Sequence, residues 1–486
     1  MKIAIIGAGI AGLASAVRMA CRGYEVEVFE ANDYPGGKLS EFTIDGYRFD
    51  AGPSLFTMPH YVDQLFELAG EDSRAHFEYV KLPTVCHYFW EDGARLHAHA
   101  DARLFAQAAA DAFNVPQSAI LKLLHDGKKK YEITGRIFLE QSLHKISTWL
   151  QWKVLKAMLQ IPGLDLFTTM NKVHEQSARH PKLVQLFNRF ATYNGSNPYK
   201  APGLLSMIPH FEHGIGAFMP RKGMYAITQS IYELALRKGV QFHFNTPVAE
   251  ITVENGTATG IIAAGQPRRF DRVISNMDVF YTYKKLLPQQ PHPERTLKQE
   301  KSTSALIFYW GIRRSFPELD LHNILFSDNY RAEFDHLAAG RLYDDPTVYI
   351  NITSKYCPED APEGCENWFT MINVPYDSGQ DWEALKAKAR EQVLDKISRI
   401  LGVAIRPLIA CEETLDPRGI ERKTWSHLGA LYGTSSNNRM AAFLRHPNFS
   451  NSIRHLYFCG GSAHPGGGIP LCLLSARIVD QVMDHD

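Results

Sequence analysis

The sequence lacks net charge: 52 Lys plus Arg balance 52 Asp plus Glu in 486 residues. A nucleic-acid partner would call for a basic excess to neutralise phosphates, so none is expected. No run approaches the ~18 to 20 consecutive apolar residues of a spanning helix, and integral membrane insertion is not expected either. Paired cysteine motifs are missing too. Seven cysteines (Cys21, Cys86, Cys357, Cys365, Cys411, Cys459, Cys472) are scattered and none forms CxxC. That argues against a zinc or thioredoxin-like site and predicts no metal, only reduced buried thiols. Lys2 leads directly into Ile3 to Ile6 and then glycines, without the long apolar region of a signal peptide. The expectation is a chain that starts in structure on the cytosolic side. Internal repeats, low-complexity linkers and a defensible Ser-His-Asp spacing are also lacking. What is plentiful is aromatic: 27 Phe, 21 Tyr and 7 Trp. With 45% hydrophobic and 21% charged residues the composition is ordinary globular, and the length suggests two or three domain-sized units.

The first thirty residues carry the strongest signal. Ile3 to Ile6 reads as a buried parallel strand. Gly7-Ala8-Gly9-Ile10-Ala11-Gly12 follows, and a helical pattern runs from Ile10 to about Cys21, ending at Arg22-Gly23. Glu25 to Phe29 alternates as a second strand, closed by Glu30 and Ala31. Gly7 allows a tight turn, Gly9 admits a pyrophosphate to the backbone at the N-terminus of the helix, and Gly12 lets helix and strand pack closely. Glu30 sits where a carboxylate can accept both ribose hydroxyls. In this context GxGxxG predicts a dinucleotide site.

The fingerprint alone does not separate NAD from FAD. Tyr34-Pro35-Gly36-Gly37-Lys38, followed by Leu39, places bare backbone and a cation near the same pyrophosphate. Phe49-Asp50-Ala51-Gly52-Pro53-Ser54 is a further glycine-proline turn. At the other end, the strand-like Leu456 to Cys459 feeds Gly460-Gly461-Ser462-Ala463-His464-Pro465-Gly466-Gly467-Gly468-Ile469-Pro470, and a helix runs from about Leu471. Consecutive glycines at a helix start expose N–H donors suited to a flavin's ring carbonyl or ribityl oxygens. His464 has no partners at metal-ligand spacing and is the candidate polar group beside the ring.

In this order the motifs resemble the flavoproteins of the amine oxidase and carotenoid desaturase group, and GGSAHPGGGIP resembles the closing flavin motif of the phytoene desaturase family of bacterial carotenoid desaturases. Asn197-Pro198-Tyr199-Lys200-Ala201-Pro202 is similar to a turn of these enzymes. Phe218 to Met224 is similar to their Pro-x-Gly-Gly-Met element, with Lys222 in place of one glycine. Val273-Ile274-Ser275-Asn276-Met277-Asp278 resembles their VVSNAD turn, and Pro247 to Ile251, with Val248, the strand that holds the adenine. Asp345-Pro346-Thr347 and Ala361 to Gly364 resemble elements of the family's substrate-side sheet. The likeness spans essentially the whole chain and looks closest to the hydroxycarotenoid 3,4-desaturase branch. It implies FAD as cofactor, with Gly37, Lys38, Leu39, Gly52, Pro53 and Ser54 beside it, and Asn276, Gly461, Ser462, Gly468, Ile469 and Pro470 completing the site. Many related flavoproteins have Gly-Asp where this chain has Gly461-Ser462, so the ribityl contact stays unassigned.

The resemblance implies an α/β fold: a discontinuous Rossmann-like FAD-binding domain of the amine oxidase and GDI type, at 1–75, 216–285 and 415–486. The insertions give a mostly helical region at 76–215, for substrate and membrane docking, and a sheet-and-helix substrate domain at 286–414. Within the helical region, Ile146, Leu150, Val154, Ala157 and Met158 form one helical stripe, and Trp149, Trp152, Leu155 and Leu159 another, with Lys145, Lys153 and Lys156 around them. Two apolar stripes fit either a helix buried on both sides or one lying on a lipid surface.

The implied activity is removal of a hydride and a proton from adjacent carbons of a C40 polyene. Positioning then dominates, and no acid–base motif is required. Glu212 and His213 either line the cavity or lie at the surface. The implied partners are a long apolar carotenoid, a membrane surface at the inner face of the cell membrane, and oxygen or a quinone as electron acceptor. The alternatives are a phytoene desaturase, a flavin amine oxidase, and a non-enzymatic prenyl-lipid escort of the GDI type.

Overall fold

A computed structural model describes residues 1–152, 154, 156, 163–438 and 440–484. The Lys2–Ile6 strand is buried along both faces, as its unbroken apolar run requires. It pairs in parallel with Glu25–Phe29 on one side and Arg272–Ser275 on the other. Gln241–His243 and Leu456–Phe458 complete a five-stranded parallel sheet at its two edges. Its strands come from the start, middle and end of the chain, so this layer closes only when distant segments meet. The Ile10–Cys21 helix fills one face together with Tyr225–Arg237 and Ile469–Met483. A small antiparallel sheet, Val248–Glu254, Thr257–Ala263 and Gln266–Arg269, packs on the other face.

A second, seven-stranded sheet runs in the order Ile409–Leu415, Ser304–Ile312, Glu366–Val374, Val348–Ile352, His322–Leu325, Thr84–Phe89, Arg95–His99. Successive side chains of a strand point to opposite faces, and the alternation here divides two tasks. Leu306, Phe308, Trp310, Ile350, Trp368 and Ile372 bury one face against the Trp382–Leu401 helix. Ala305, Ile307, Tyr309, Phe369 and Met371 turn the other face toward a large cavity.

Two expectations change. The segment 76–215 is not helical at its start. Tyr79–Lys81, Thr84–Phe89 and Arg95–His99 are strands, and the last two extend the seven-stranded sheet. Thr84 to Phe89 is a short β-branched and aromatic run after Pro83, a strand signal overshadowed by the helices Ala102–Phe113 and Gln117–Phe138 that follow. The two-striped helix is also interrupted: one helix covers Ile146–Trp149, the chain turns at Leu150 and bends at Gln151, and Trp152, Val154 and Lys156 are helical again. Lys153, Leu155, Ala157, Met158, Leu159 and Gln160 lie outside the described residues.

Candidate functional site

Between the two sheets lies a cavity of about 1680 Å³. Sites for small ligands usually occupy ~300–1,000 Å³, so this one has room for more than one large molecule. One end of it meets the carboxyl edge of the parallel sheet, where open α/β folds bind their ligands.

The Gly7 to Gly12 turn forms that end. Gly7 has φ +95° and its N–H bonds the Phe29 carbonyl at 2.8 Å. A Cβ on Gly9 would stand 2.6 Å from Asn276 Oδ1. Gly12 is off the cavity wall, and a Cβ there would meet the Gly7 carbonyl at 2.1 Å, so its smallness serves helix–strand packing. Ile10 and Ala11 line the cavity at the start of a 12-residue helix whose Gly9 cap offers no side-chain acceptor. The positive helix end therefore stays open to an anion. Glu30 Oε2 accepts the Ala8 N–H at 2.7 Å, and Oε1 accepts the Asn32 backbone and side-chain N–H groups at 2.9 and 3.0 Å. Glu30 thus braces the glycine turn and also lines the cavity. Ala31 and Val248 line the same end.

Gly37, Lys38 and Leu39 continue the wall, with Gly52, Pro53 and Ser54. A Cβ on Gly52 would lie 1.8 Å from the Lys38 carbonyl oxygen, so the two loops touch only because Gly52 has no side chain. The Lys38 ammonium donates to the Leu431 carbonyl at 2.8 Å, and burial lowers its pKa. No carboxylate among the described residues pairs with it, which keeps its charge available to a phosphate.

The closing loop meets this wall. Gly461, Ser462, Gly468, Ile469 and Pro470 line the cavity, and the 15-residue helix that starts at Ile469 again has no side-chain cap. Ser462 Oγ accepts the Val279 N–H at 3.0 Å. Asn276 donates to the Cys459 carbonyl at 3.2 Å, and a Cβ on Gly460 would sit 2.5 Å from its amide nitrogen. One side chain thus locks the opening and closing glycine turns together.

Arg445, which sequence reasoning missed, lies behind the closing loop. It is buried, donates to the Tyr432 and Thr434 carbonyls, and burial lowers its pKa to about 10. No local motif marks it. His464, the expected polar group beside the ring, is off the cavity wall. Its Nε2 pairs with the Gln141 carbonyl at 2.9 Å, and its own carbonyl accepts from Asn448 and Ser475. Burial keeps the ring neutral, with a pKa lowered to about 3. It buttresses the loop and does not face the cavity.

The far wall combines the apolar sheet face with a buried polar group. Arg189 donates to Tyr88 and Tyr193 at 2.8 and 2.9 Å and to Glu212 at 3.0 Å. Glu212 lines the cavity, whereas His213 is stacked on Phe105 away from it. At another edge of the cavity, Phe167 and Met440 both line it and reach solvent, at 76% and 52% exposure. Ile146, Leu150 and Trp152 are similarly exposed, at 79%, 74% and 79%. Trp149 turns inward, donates to the Leu143 carbonyl and packs on Phe443.

These features fit FAD. Two helix N-termini open on one cavity, and the glycines leave gaps that a Cβ would fill. Two cations, Lys38 and Arg445, stand beside it without carboxylate partners among the described residues.

Comparison with known proteins agrees with that chemistry. The family model for flavin containing amine oxidoreductases matches residues 10–481. A 1-hydroxycarotenoid 3,4-desaturase of Flavobacterium sp. (strain P99-3) is 55% identical over 485 residues, covering 100% of this chain and 99% of the relative. A 4,4'-diapolycopene oxygenase of Methylomonas sp is 32% identical over 490 residues, covering 98% and 97%. Among solved structures, putrescine oxidase bound to putrescine superposes with a TM-score of 0.65 at 15% identity over 100% of both chains, a likeness of fold.

Proposed function

The chain belongs to the flavin containing amine oxidoreductase family, and from that premise we propose that it is an FAD-dependent desaturase of acyclic carotenoids that carry a hydroxyl on carbon 1, acting across carbons 3 and 4. The observation that carries this reading is one continuous cavity. It joins the glycine cradles to an apolar, ring-rich sheet face and reaches the surface among exposed apolar side chains. A flexible, polar or short substrate would not need such a wall. The relative at 55% identity supports the choice of substrate and bond.

When bound, the flavin supplies a two-electron acceptor that takes up hydrogen as hydride. The protein's own part is to hold the chain and keep water out. Charge developing beside a conjugated chain spreads over that chain, so placement counts for more than a counter-ion. Tyr309 and Phe369 offer ring faces, which attract a cation. The Tyr309 hydroxyl donates to the Ala51 carbonyl at 2.8 Å, which fixes that ring against the Gly52 turn.

A C40 hydrocarbon prefers a bilayer by ~0.8 kcal/mol per buried CH₂ and does not reach an enzyme through water at a useful rate. We infer that Ile146, Leu150, Trp152, Phe167 and Met440 form a foot that rests on the inner face of the cell membrane and takes substrate from it. No helix among the described residues is long and apolar enough to cross a membrane. Oxygen or a membrane quinone reoxidises the flavin.

The reading is tested by incubating the flavin-loaded protein with a 1-hydroxylated acyclic carotene in liposomes. The product is two hydrogens lighter and absorbs at longer wavelength. Unchanged carotene, or a product that has gained oxygen, contradicts the proposal.

A further inference from the structure

We propose that His322 is the recognition point for the substrate's tertiary hydroxyl and so decides which end of the polyene is seated at the flavin. The inference rests on the desaturase reading above. It starts from strand geometry. In the His322–Leu325 strand, His322 and Ile324 share the face that forms the cavity wall, and their antiparallel partners are Asn351 and Tyr349. His322 is 4% exposed, and its Nε2 has no hydrogen-bond partner.

The surrounding network occupies the other ring nitrogen. His322 Nδ1 pairs with the Tyr349 hydroxyl at 2.8 Å, which is met by Ser54 Oγ at 2.9 Å, and the Asn351 amide nitrogen lies 3.3 Å from the same Nδ1. Nε2 is therefore the position left for a further partner. Burial, and then the charge of Arg189, lower the ring's pKa to about 3, so the ring is neutral at any physiological pH. A buried polar nitrogen without a partner is costly. An alcohol both donates and accepts, so the substrate's hydroxyl supplies that partner in either tautomer, and a hydrocarbon end does not.

Position selects the same residue. The hydroxyl-bearing carbon 1 is two bonds from carbon 3 and three from carbon 4. Its partner must therefore sit beside the reacting pair and not at a remote end of the cavity. His322 is two hydrogen bonds from Ser54, in the turn that the flavin site shares. The Arg189 cluster also lines the cavity, but its guanidinium is already committed to Tyr88, Tyr193 and Glu212. A site built around one matched hydrogen bond rejects the analogue that lacks it.

The test compares flavin-loaded wild type, His322→Gln, His322→Phe and Tyr349→Phe. The probes are a 1-hydroxylated acyclic carotene and the same carotene without the hydroxyl, both in phosphatidylcholine liposomes. Binding is read by quenching of protein fluorescence, and selectivity by the ratio of kcat/KM values. Wild type favours the hydroxylated probe at least tenfold by both readouts. His322→Phe brings the ratio close to one, His322→Gln, which keeps a donor and an acceptor, retains most of it, and Tyr349→Phe loses part. A ratio in His322→Phe equal to that of wild type, with flavin absorbance and melting intact, overturns the inference. So does wild-type binding without preference. If His322→Phe does not fold, Tyr349→Phe decides, and an unchanged ratio there overturns the inference as well. Preferential binding through His322 without turnover of either probe would defeat the desaturase reading and leave the hydroxyl site standing.

Discussion

At the scale of single residues, the flavin site depends on side chains that are absent. Gly52 is the sharpest case, because a Cβ there would lie 1.8 Å from a backbone oxygen that cannot swing aside. Gly52→Ala must push the Lys38 loop off the wall, a displacement expected to cost ~1–3 kcal/mol. The flavin-to-protein absorbance ratio of the purified variant should fall at least fivefold with far-ultraviolet circular dichroism retained, and a full complement of flavin would contradict the contact. Glycines of this kind are readable in the sequence because turns and helix starts are local properties. Residues whose role depends on cross-strand neighbours are not. Tyr349 and Ser54 meet across 295 positions, and Arg445 lies in no motif. His464 misleads for the converse reason: it belongs to the glycine motif by sequence, but its ring bonds the Gln141 carbonyl behind the loop.

At the scale of elements, period-2 alternation explains both the apolar content of the Ser304–Ile312 and Glu366–Val374 strands and their two duties. Both strands and the Trp382–Leu401 helix are evident from pattern, since each is long and strongly apolar on the buried side. The Lys145 to Gln160 stretch misleads, because helical spacing of apolar residues does not reveal a turn. With the turn at Leu150, Trp149 becomes part of the cavity wall and Trp152 part of the surface. Among the described residues of the two stripes, Ile146, Leu150 and Trp152 are exposed, and the proposed lipid-facing set also takes in Phe167 and Met440. Trp152→Ala combined with Phe167→Ala should reduce flotation with anionic liposomes at least threefold while leaving the flavin spectrum unaltered. Flotation equal to that of the parent would rule out the membrane foot.

At the scale of the whole molecule, the parallel sheet draws strands from residues 2–29, 241–275 and 456–458, and the cavity exists only once they assemble. Assembly also buries histidines without charging them. His174 and His446 are lowered to about 4, and His213, His322 and His464 to about 3, in each case first by burial. An unfolded histidine titrates near ~6.5. Between that value and the folded ones the unfolded chain binds more protons, so this contribution to stability is complete above pH ~6.5 and is lost as pH falls toward the folded values. The melting temperature should drop by at least ~5 °C between pH 7 and pH 5, and a flat profile would show that these rings are not held neutral. The discontinuous sheet is foreseeable because both of its ends carry glycine motifs that only a shared ligand explains. The apolar wall opposite, where the substrate is proposed to lie, is visible only in the structure. The most direct measurement follows the flavin itself: the purified holoprotein is mixed anaerobically with a 1-hydroxylated acyclic carotene, and absorbance is recorded. The flavin bands should bleach as a longer-wavelength polyene appears in equal amount. A flavin that stays oxidised while carotene is bound would contradict the account.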